Sequence, residues 1–331
     1  MNQRNLLNRF LLVLWVAVLL KPLTSEAREE GVKITELPDK VRVEIGGQLF
    51  TEYHYQGAPH LYYYPVLNAA GLAMTRHYPM KKDLPDEAND HPHHRSLWFS
   101  HGSVSGVDFW SESPKAGKIV HDKFLEMKSG QDTGWIKSQN KWIAPDGKVV
   151  CTDETVFRVH NRANDRLFDF EITLKAPPDS EVVLGDTKEG TMGIRIAETM
   201  RLKGKVGKGH IVQSTGVRDG DTWGKRAEWC DYYGPVNGKI VGIAIFDHPR
   251  NHAHPTWWHV RDYGLFAANP FGVHDFENKP AEPRAGDRTI PPGKSLTFRY
   301  RFYIHDGDEK QGQVAERYKE YLASLSRERA K

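Results

Sequence analysis

The chain has 331 residues, a formal net charge of +3 and only two cysteines. A charge this close to balance gives no argument for binding nucleic acid or an anionic membrane, and two cysteines do not make a disulfide framework. We expect Cys151 and Cys230 either to pair with each other or to remain as two buried thiols.

The N-terminus has the pattern of an export signal. Arg4 and Arg9 precede the apolar run Phe10–Leu20, and a polar stretch with the small residues Ser25 and Ala27 follows it. The run is shorter than the ~20 apolar residues that span a bilayer, so we expect a cleaved signal peptide over residues 1–27, with an uncleaved anchor as the alternative. No later segment is a membrane-span candidate. The sequence therefore predicts a periplasmic or secreted protein without integral membrane association after cleavage.

Apolar residues alternate with polar ones in several segments, as in strands with one wet face. Segments of this kind are residues 41–45, 48–53, 168–174 and 295–305. Gly46-Gly47 separates the first two, which is a hairpin signal because both turn positions can adopt positive φ. Residues 240–246 are apolar throughout and fit a strand that is buried on both faces.

One amphipathic helix is predicted from about Glu309 onward, with Val314, Tyr318, Tyr321 and Leu322 on one stripe. We expect it to pack across the outside of the sheets or over one end. Many strands, frequent turn signals and one terminal helix predict an all-β fold, a large β-sandwich with a C-terminal helix. Neither an internal repeat nor a linker is evident, so residues 28–331 are expected to form a single domain.

Histidines are concentrated in two windows, residues 90–102 and 247–274, which hold nine of the 16 histidines. Imidazole titrates near neutrality and is the commonest metal ligand. For any single histidine a structural role is the more common one. A hydrophobic core rarely contains so many titratable rings, however, so we expect some of these histidines to be functional. We also expect the two windows to form opposite walls of one site.

A metal site is one hypothesis for these windows. His91 and His93 would share one face of a strand, and His101 or a residue of the second window would be the third ligand. The spacings match neither a helical His-x3-His pair nor a zinc ribbon. A divalent metal bound by His91, His93 and His101 therefore stays an open alternative.

Acid–base chemistry on a sugar is the leading hypothesis, because imidazole shuttles protons near neutral pH. Indole faces can stack on a pyranose, and guanidinium forks can hold a carboxylate or a sulfate. The candidate acid–base residues are His93, His94, His101, Glu189, His252 and His259. The candidate substrate-binding residues are Arg95, Trp98, Asp108, Arg195, Trp258 and Arg261.

Glu189 and Arg195 lie six residues apart, so on a strand they would share a face, and Glu189 would be a base held by a cationic neighbour. The alternative is a surface turn followed by a strand with a solvated charge. The sequence has neither a Gly-x-Ser-x-Gly elbow nor a nucleotide-binding glycine loop, which disfavours acyl transfer, nucleotide hydrolysis and dinucleotide binding.

Three stretches resemble one exported bacterial family of unknown function that carries the label "methane oxygenase PmoA". They are HPHHRSLWFSHGSVSGVDFW from His91, EGTMGIRIAE from Glu189 and FDHPRNHAHPTWWHVRDYGLFAANPFG from Phe246. The resemblance implies a carbohydrate context. It also implies an architecture similar to galactose mutarotases and related lyases, which place His and a carboxylate on a concave sheet. The membrane spans of an oxygenase subunit are not present after the N-terminal apolar run.

Together these features predict an exported carbohydrate-active protein. We expect an enzyme that catalyses hydrolysis, elimination or epimerisation of a sugar or glycoside. Two other classes of function stay open. One is a carbohydrate-binding module without catalysis, and the other is a metal-dependent hydrolase or lyase with a histidine-rich site.

Overall fold

The computed structural model describes residues 31–329, so the predicted signal peptide lies outside the described residues. Two eight-stranded antiparallel sheets and a two-stranded ribbon make up the fold. The front sheet contains β1 (Val32–Glu36), β2 (Lys40–Ile45), β3 (Gln48–His54), β4 (Tyr62–Val66), β5 (Leu97–His101), β11 (Gly190–Arg195), β16 (Leu265–Asn269) and β15 (Trp257–Val260), in that spatial order.

The back sheet contains β12 (His210–Gln213), β13 (Trp229–Val236), β14 (Lys239–Asp247), β18 (Ser295–Asp306), β9 (Arg166–Lys175), β8 (Val149–His160), β7 (Thr133–Ile143) and β6 (Lys118–Lys128), in that order. The ribbon pairs β10 (Val182–Leu184) with β17 (Arg288–Ile290). The predicted all-β sandwich is confirmed, and so is the hairpin between β2 and β3, where Gly46 and Gly47 have φ of 56° and 71°.

The main core lies between the two sheets. The alternation predicted for β9 and β18 sends their apolar faces into this core, where Phe168 stacks on Phe302 with ring centroids 4.7 Å apart. Burying each such aromatic side chain stabilises the fold by about 1.5–3 kcal/mol. Every residue of β14 from Val241 to Asp247 is buried, as the continuous apolar run predicts, whereas Ile240 at the start of that run is exposed.

The C-terminal helix α2 (Val314–Arg329) packs on the outer face of the back sheet. Val314, Tyr318 and Tyr321 are buried there beside Phe246. The helix begins five residues later than the sequence pattern indicates, because Asp308 accepts backbone hydrogen bonds in the preceding turn. The other α-helix, α1 (Val273–Phe276), is a single turn that precedes the ribbon strand β17.

Cys151 and Cys230 are free, buried thiols. They lie on β8 and β13 of the back sheet, with β14, β18 and β9 between those two strands. At about 4.8 Å per strand spacing, this separation is far beyond the ~7 Å Cα distance that a disulfide tolerates. Of the two alternatives for the cysteines, a disulfide or two buried thiols, the structure has the two buried thiols.

Candidate functional site

The candidate residues of the first window divide between the two faces of β5. Leu97, Phe99 and His101 point toward the core between the sheets, whereas Trp98 points to the outer face of the front sheet. There the register aligns Trp98, Gly193, Ala267 and His259 across four neighbouring strands. Strand alternation therefore separates His101 from the histidines that stand over this outer face.

A buried arginine is at the base of the outer face. Arg195, at the end of β11, is fully buried, and its Nη2 lies 2.7 Å from Oδ1 of Asp90. Arg76, also fully buried, binds the same carboxylate oxygen at 2.5 Å. Burial acts to raise the pKa of Asp90. The hydrogen bond from His91 and the two guanidiniums outweigh this effect and hold the pKa of Asp90 well below its usual range. One carboxylate thus serves two buried arginines.

His94 orients Arg195. Because a guanidinium can only donate, the Nδ1 atom of His94 accepts the hydrogen bond from Nη1 of Arg195, at 3.1 Å. Burial, followed by the charges of His93 and Arg195, lowers the pKa of His94 well below its usual value. The ring is buried and neutral, so His94 positions an arginine and does not face solvent.

His91 and His93 form the outer layer of the first window. The His91 ring lies between those of His94 and Tyr263, with centroids at 4.8 and 5.0 Å and near-parallel planes. His93 is half-buried, with its ring 4.4 Å from that of His94. Burial, followed by the neighbouring His91 and His60, lowers the pKa of His93 to about 4. At neutral pH His93 is therefore an accessible, uncharged base.

Tyr263 joins the two windows. Its ring stacks on His91 from the first window and lies next to two guanidiniums, with Arg195 at 4.9 Å and Arg261 at 5.4 Å from its centroid. Burial raises the pKa of Tyr263, Arg261 and Arg195 lower it, and Glu189 acts to raise it. Tyr263 was missed by the sequence analysis, although it directly follows Arg261-Asp262 in the second window.

Glu189 lies on the chain segment directly before β11, and its charge acts on Tyr263, where the two windows meet (the Tyr263 junction). It is half-exposed and its Oε1 lies 3.4 Å from Nζ of Lys188. The predicted pairing with Arg195 is wrong, because Glu189 precedes the strand and the partner of Arg195 is Asp90. The alternative of a surface turn before the strand describes its position better.

The loop that carries Glu189, residues 185–189, is fixed by buried side chains from both windows. His101 binds the carbonyl of Gly185 through Nε2 at 2.8 Å, and the Nδ1 atom of His259 binds that of Lys188. A carbonyl can only accept, so each imidazole donates. Burial is the main reason why the pKa of each ring is lowered to about 4. His101 and His259 are thus neutral residues that position the loop.

Several candidate residues have other partners. Arg95 is engaged by Glu112, with Nη2 2.8 Å from Oε2 in a bidentate pair, so its fork is not free for a ligand. Trp98 and Trp258 are fully buried and present no ring face to solvent, which removes them as stacking platforms. Asp108 accepts the backbone N–H groups of Trp110 and Ser111 in its own loop.

His252 lies apart from the Tyr263 junction. It is half-buried, and its ring is 5.8 Å from that of Phe271, which in turn is 4.8 Å from the ring of His101. The expectation that all the histidines line one site is therefore corrected: His91 and His94 contact Tyr263, with His93 beside them, whereas the rings of His101 and His252 lie against Phe271. Alternation along β5 separates His101 from the first group, and His252 lies on the loop between β14 and β15.

The residues present do not fit the proposed metal site. His91 and His93 are neighbours, with centroids 5.8 Å apart, but His101 is on the opposite side of the sheet. Within residues 31–329, no group of three or more His, Cys, Asp or Glu side chains is arranged to hold a metal ion. The set His91, His93 and His101 is thereby corrected.

Two clefts of the molecule lack the candidate residues. A cleft of about 530 Å³ is lined by Gly31, Gln48 and Arg162 at the end of the sandwich, and one of about 540 Å³ on the back sheet is lined by His160, Arg299 and Tyr321. Neither contains any of the candidate acid–base or substrate-binding residues. The back-sheet cleft is therefore a useful comparison site in binding experiments.

Fold and site together define an all-β sandwich with a cationic, histidine-lined face on one sheet. The chain belongs to a family of unknown function, DUF6807, whose sequence model matches residues 40–319. None of the curated proteins matches it. Across residues 31–329, helices long and apolar enough to cross a membrane are not found.

Among solved structures, the α-galactosidase from Lactobacillus brevis is similar, with 9% identity and a TM-score of 0.43 over 86% of this chain and 41% of that one. A GH36 α-galactosidase from Geobacillus stearothermophilus, in complex with stachyose, has 8% identity and a TM-score of 0.41 over 84% and 40%. The galactose mutarotase related enzyme from Lactobacillus acidophilus has 9% identity and a TM-score of 0.34 over 83% and 97%. The chain spans about two-fifths of the length of the two α-galactosidases it matches.

Proposed function

We propose that the outer face of the front sheet around Tyr263 binds a carbohydrate and transfers a proton on it, by hydrolysis, elimination or epimerisation. The observation that carries this proposal is the junction itself. A half-buried neutral imidazole, His93, stands beside a ring stack that ends at Tyr263, whose charge environment includes Glu189. For proton transfer on a bound sugar, the base accepts the proton, the carboxylate assists it and the aromatic ring contacts the sugar.

In this proposal His93 is the base. Its pKa of about 4 keeps it unprotonated at neutral pH, so it can accept a proton from a water, a hydroxyl or an activated C–H. Glu189 is the assisting carboxylate, on a loop that His101 and His259 hold in place. Arg195 and His94 are positioning residues, because both are buried beneath the exposed ring of His91.

The three reaction types leave different products, so one assay separates them. The protein is incubated in deuterated water with a panel of neutral and acidic oligosaccharides and followed by proton NMR. New reducing ends without an alkene signal indicate hydrolysis, new reducing ends together with an alkene signal indicate elimination, and deuterium at a carbon with inverted configuration indicates epimerisation. His93→Gln is expected to abolish turnover, whereas His160→Gln, a half-buried histidine of the back sheet bonded to Asp169, is expected to retain it.

A carbohydrate-binding module is the second candidate. The specific observation in its favour is that three of the six predicted acid–base residues, His94, His101 and His259, are buried and engaged by arginine or backbone. A module of this kind predicts that His93→Gln retains full affinity and that no product forms. Turnover by the wild-type protein that the variant lacks would contradict it.

We further propose that the protein is exported, on the strength of the apolar run Phe10–Leu20 between a basic start and small residues. Expression with residues 1–27 followed by mass determination of the extracytoplasmic protein tests this. A mature N-terminus at or near residue 28 is expected, and retention of the full chain in the cytoplasm would contradict export.

A further inference from the structure

Arg261 is a guanidinium held in place without an anion. It lies between two aromatic rings, 5.4 Å from the centroid of Tyr263 and 5.7 Å from that of Trp223. It is half-buried, yet it forms no ion pair with any carboxylate of residues 31–329. Several other arginines that the structure describes do have such partners, as Arg95 has Glu112 and Arg301 has Asp169.

The surroundings of Arg261 contain more positive than negative charge. Arg76 and Arg195 share the single carboxylate of Asp90, and Lys188 is the partner of Glu189. The imidazoles of His93 and His259 add nothing to this balance at neutral pH, because their pKa values are lowered to about 4, chiefly by burial. With Arg261 included, four cationic side chains stand against three carboxylates, those of Asp90, Glu189 and Asp275, and burial of two of the guanidiniums strengthens their field.

We infer that the ligand of this face is an acidic sugar, whose carboxylate or sulfate group binds the guanidinium of Arg261. This inference rests on the proposed function for the sugar, but the anionic group is argued from Arg261 and the charges around it. A guanidinium presents a planar fork of donors that matches an oxyanion in a bidentate geometry. Stacking between two rings holds that fork in advance, so less rotamer freedom is lost when the ligand binds.

The test compares matched ligands by calorimetric titration: trigalacturonate, its neutral methyl ester, galactose 6-sulfate and inorganic sulfate. The wild-type protein is expected to bind trigalacturonate or galactose 6-sulfate roughly 10- to 100-fold more tightly than the neutral ester. Because the two charged sugars differ in size, each is compared with its own neutral form, the methyl ester or galactose, and the larger gain in affinity identifies the carboxylate or the sulfate as the preferred group. Arg261→Gln is expected to remove this preference.

Arg158→Gln is the matched control. Arg158 also lies over an indole, 4.8 Å from the centroid of Trp135, but in the cleft of the back sheet. Its replacement removes the same charge and is expected to leave the affinity for the charged sugar unchanged. Loss of affinity in this variant alone would place the anion site on the other sheet and overturn the inference.

The remaining outcomes separate the two proposals. Equal binding of the acid and of its methyl ester, unaffected by Arg261→Gln, would overturn the acidic ligand and leave the sugar site standing. Binding of inorganic sulfate at Arg261 without binding of any sugar would overturn the sugar site. If Arg261→Gln does not fold, the salt dependence of the wild-type affinity decides: the affinity for the charged sugar falls with ionic strength only if the anion is bound by charge.

Discussion

His101 and His259, which come from different histidine windows, bind carbonyl oxygens three residues apart in the same loop. His101 donates to Gly185 and His259 to Lys188, and a third buried side chain, Asn269, donates to Thr187 between them. Both windows therefore contribute to one place, but these two histidines act there by fixing the backbone before Glu189. The position of that carboxylate depends on neutral, buried imidazoles.

Gly190→Ala should disturb this loop. A Cβ at position 190 would lie 2.6 Å from Nδ1 of His101, which is buried and has no room to move. We expect a loss of about 1–3 kcal/mol in the free energy of unfolding, measured by urea denaturation. Gly220→Ala is the control, since a Cβ there has nothing within 4 Å and should change little. Equal stability of both variants would show that the loop is not held against His101.

Acid should destabilise the protein through the same two rings. Burial lowers the pKa of His101 and of His259 to about 4, whereas both titrate near 6.5 in the unfolded chain. Between these values the unfolded chain binds more protons, so stability is complete above about pH 6.5 and falls as the pH decreases toward 4. His259→Asn, whose amide can still donate to Lys188, is expected to flatten this decline. A pH-independent free energy of unfolding from 7 to 4.5 would contradict it.

We expect the free energy of unfolding to fall also as the pH rises above neutrality, because of a different histidine. His305 and Asp231 form a buried pair with Nε2 and Oδ1 3.1 Å apart. Burial acts to lower the pKa of His305, but the charge and hydrogen bond of Asp231 raise it above the ordinary value of 6.5. This pair stabilises the fold fully below about pH 6.5, and its contribution is lost as the pH rises through the folded pKa. Asp231→Asn should remove that dependence; an unchanged profile above pH 6.5 would contradict the assignment.

Asp90→Asn should be costly because it leaves Arg76 and Arg195 without their common carboxylate. Removing one partner of a buried pair typically costs 3–5 kcal/mol; since the Asp90 side chain is 38% exposed, we expect about 2 kcal/mol. Asp86→Asn, which breaks an exposed pair with Lys205, is the control and should leave the free energy of unfolding nearly unchanged. The same result for both variants would mean that Asp90 does not anchor the arginines.

Local patterns of apolar residues and glycines in the sequence predicted the architecture. Gly46-Gly47 fixed a hairpin, alternation located β9 and β18, and an apolar stripe located α2, because each feature depends on neighbours within one turn or one strand. The fold class and the helix on the outside of a sheet were predictable for that reason.

The site was predictable only in part, since its contacts join residues far apart in the chain. Composition selected the two windows, but it could not indicate that Arg195 binds Asp90, 105 residues away, or that Glu112 occupies Arg95. Arg76 lies outside both windows and no sequence signal pointed to it. Trp98 and Trp258 were expected on a surface and are buried, because a large sandwich uses indole rings in its clusters.

Imidazole NMR of the histidines during titration with an acidic oligosaccharide tests the central claim most directly. Trigalacturonate or a sulfated galactoside is expected to shift the signals of His91 and His93, which stand over the junction at Tyr263, while His160 on the back sheet stays unchanged. His93 should also stay unprotonated down to about pH 5, as a pKa of about 4 requires. Shifts confined to His160 or His252, or none with any sugar, would contradict a carbohydrate site at this face.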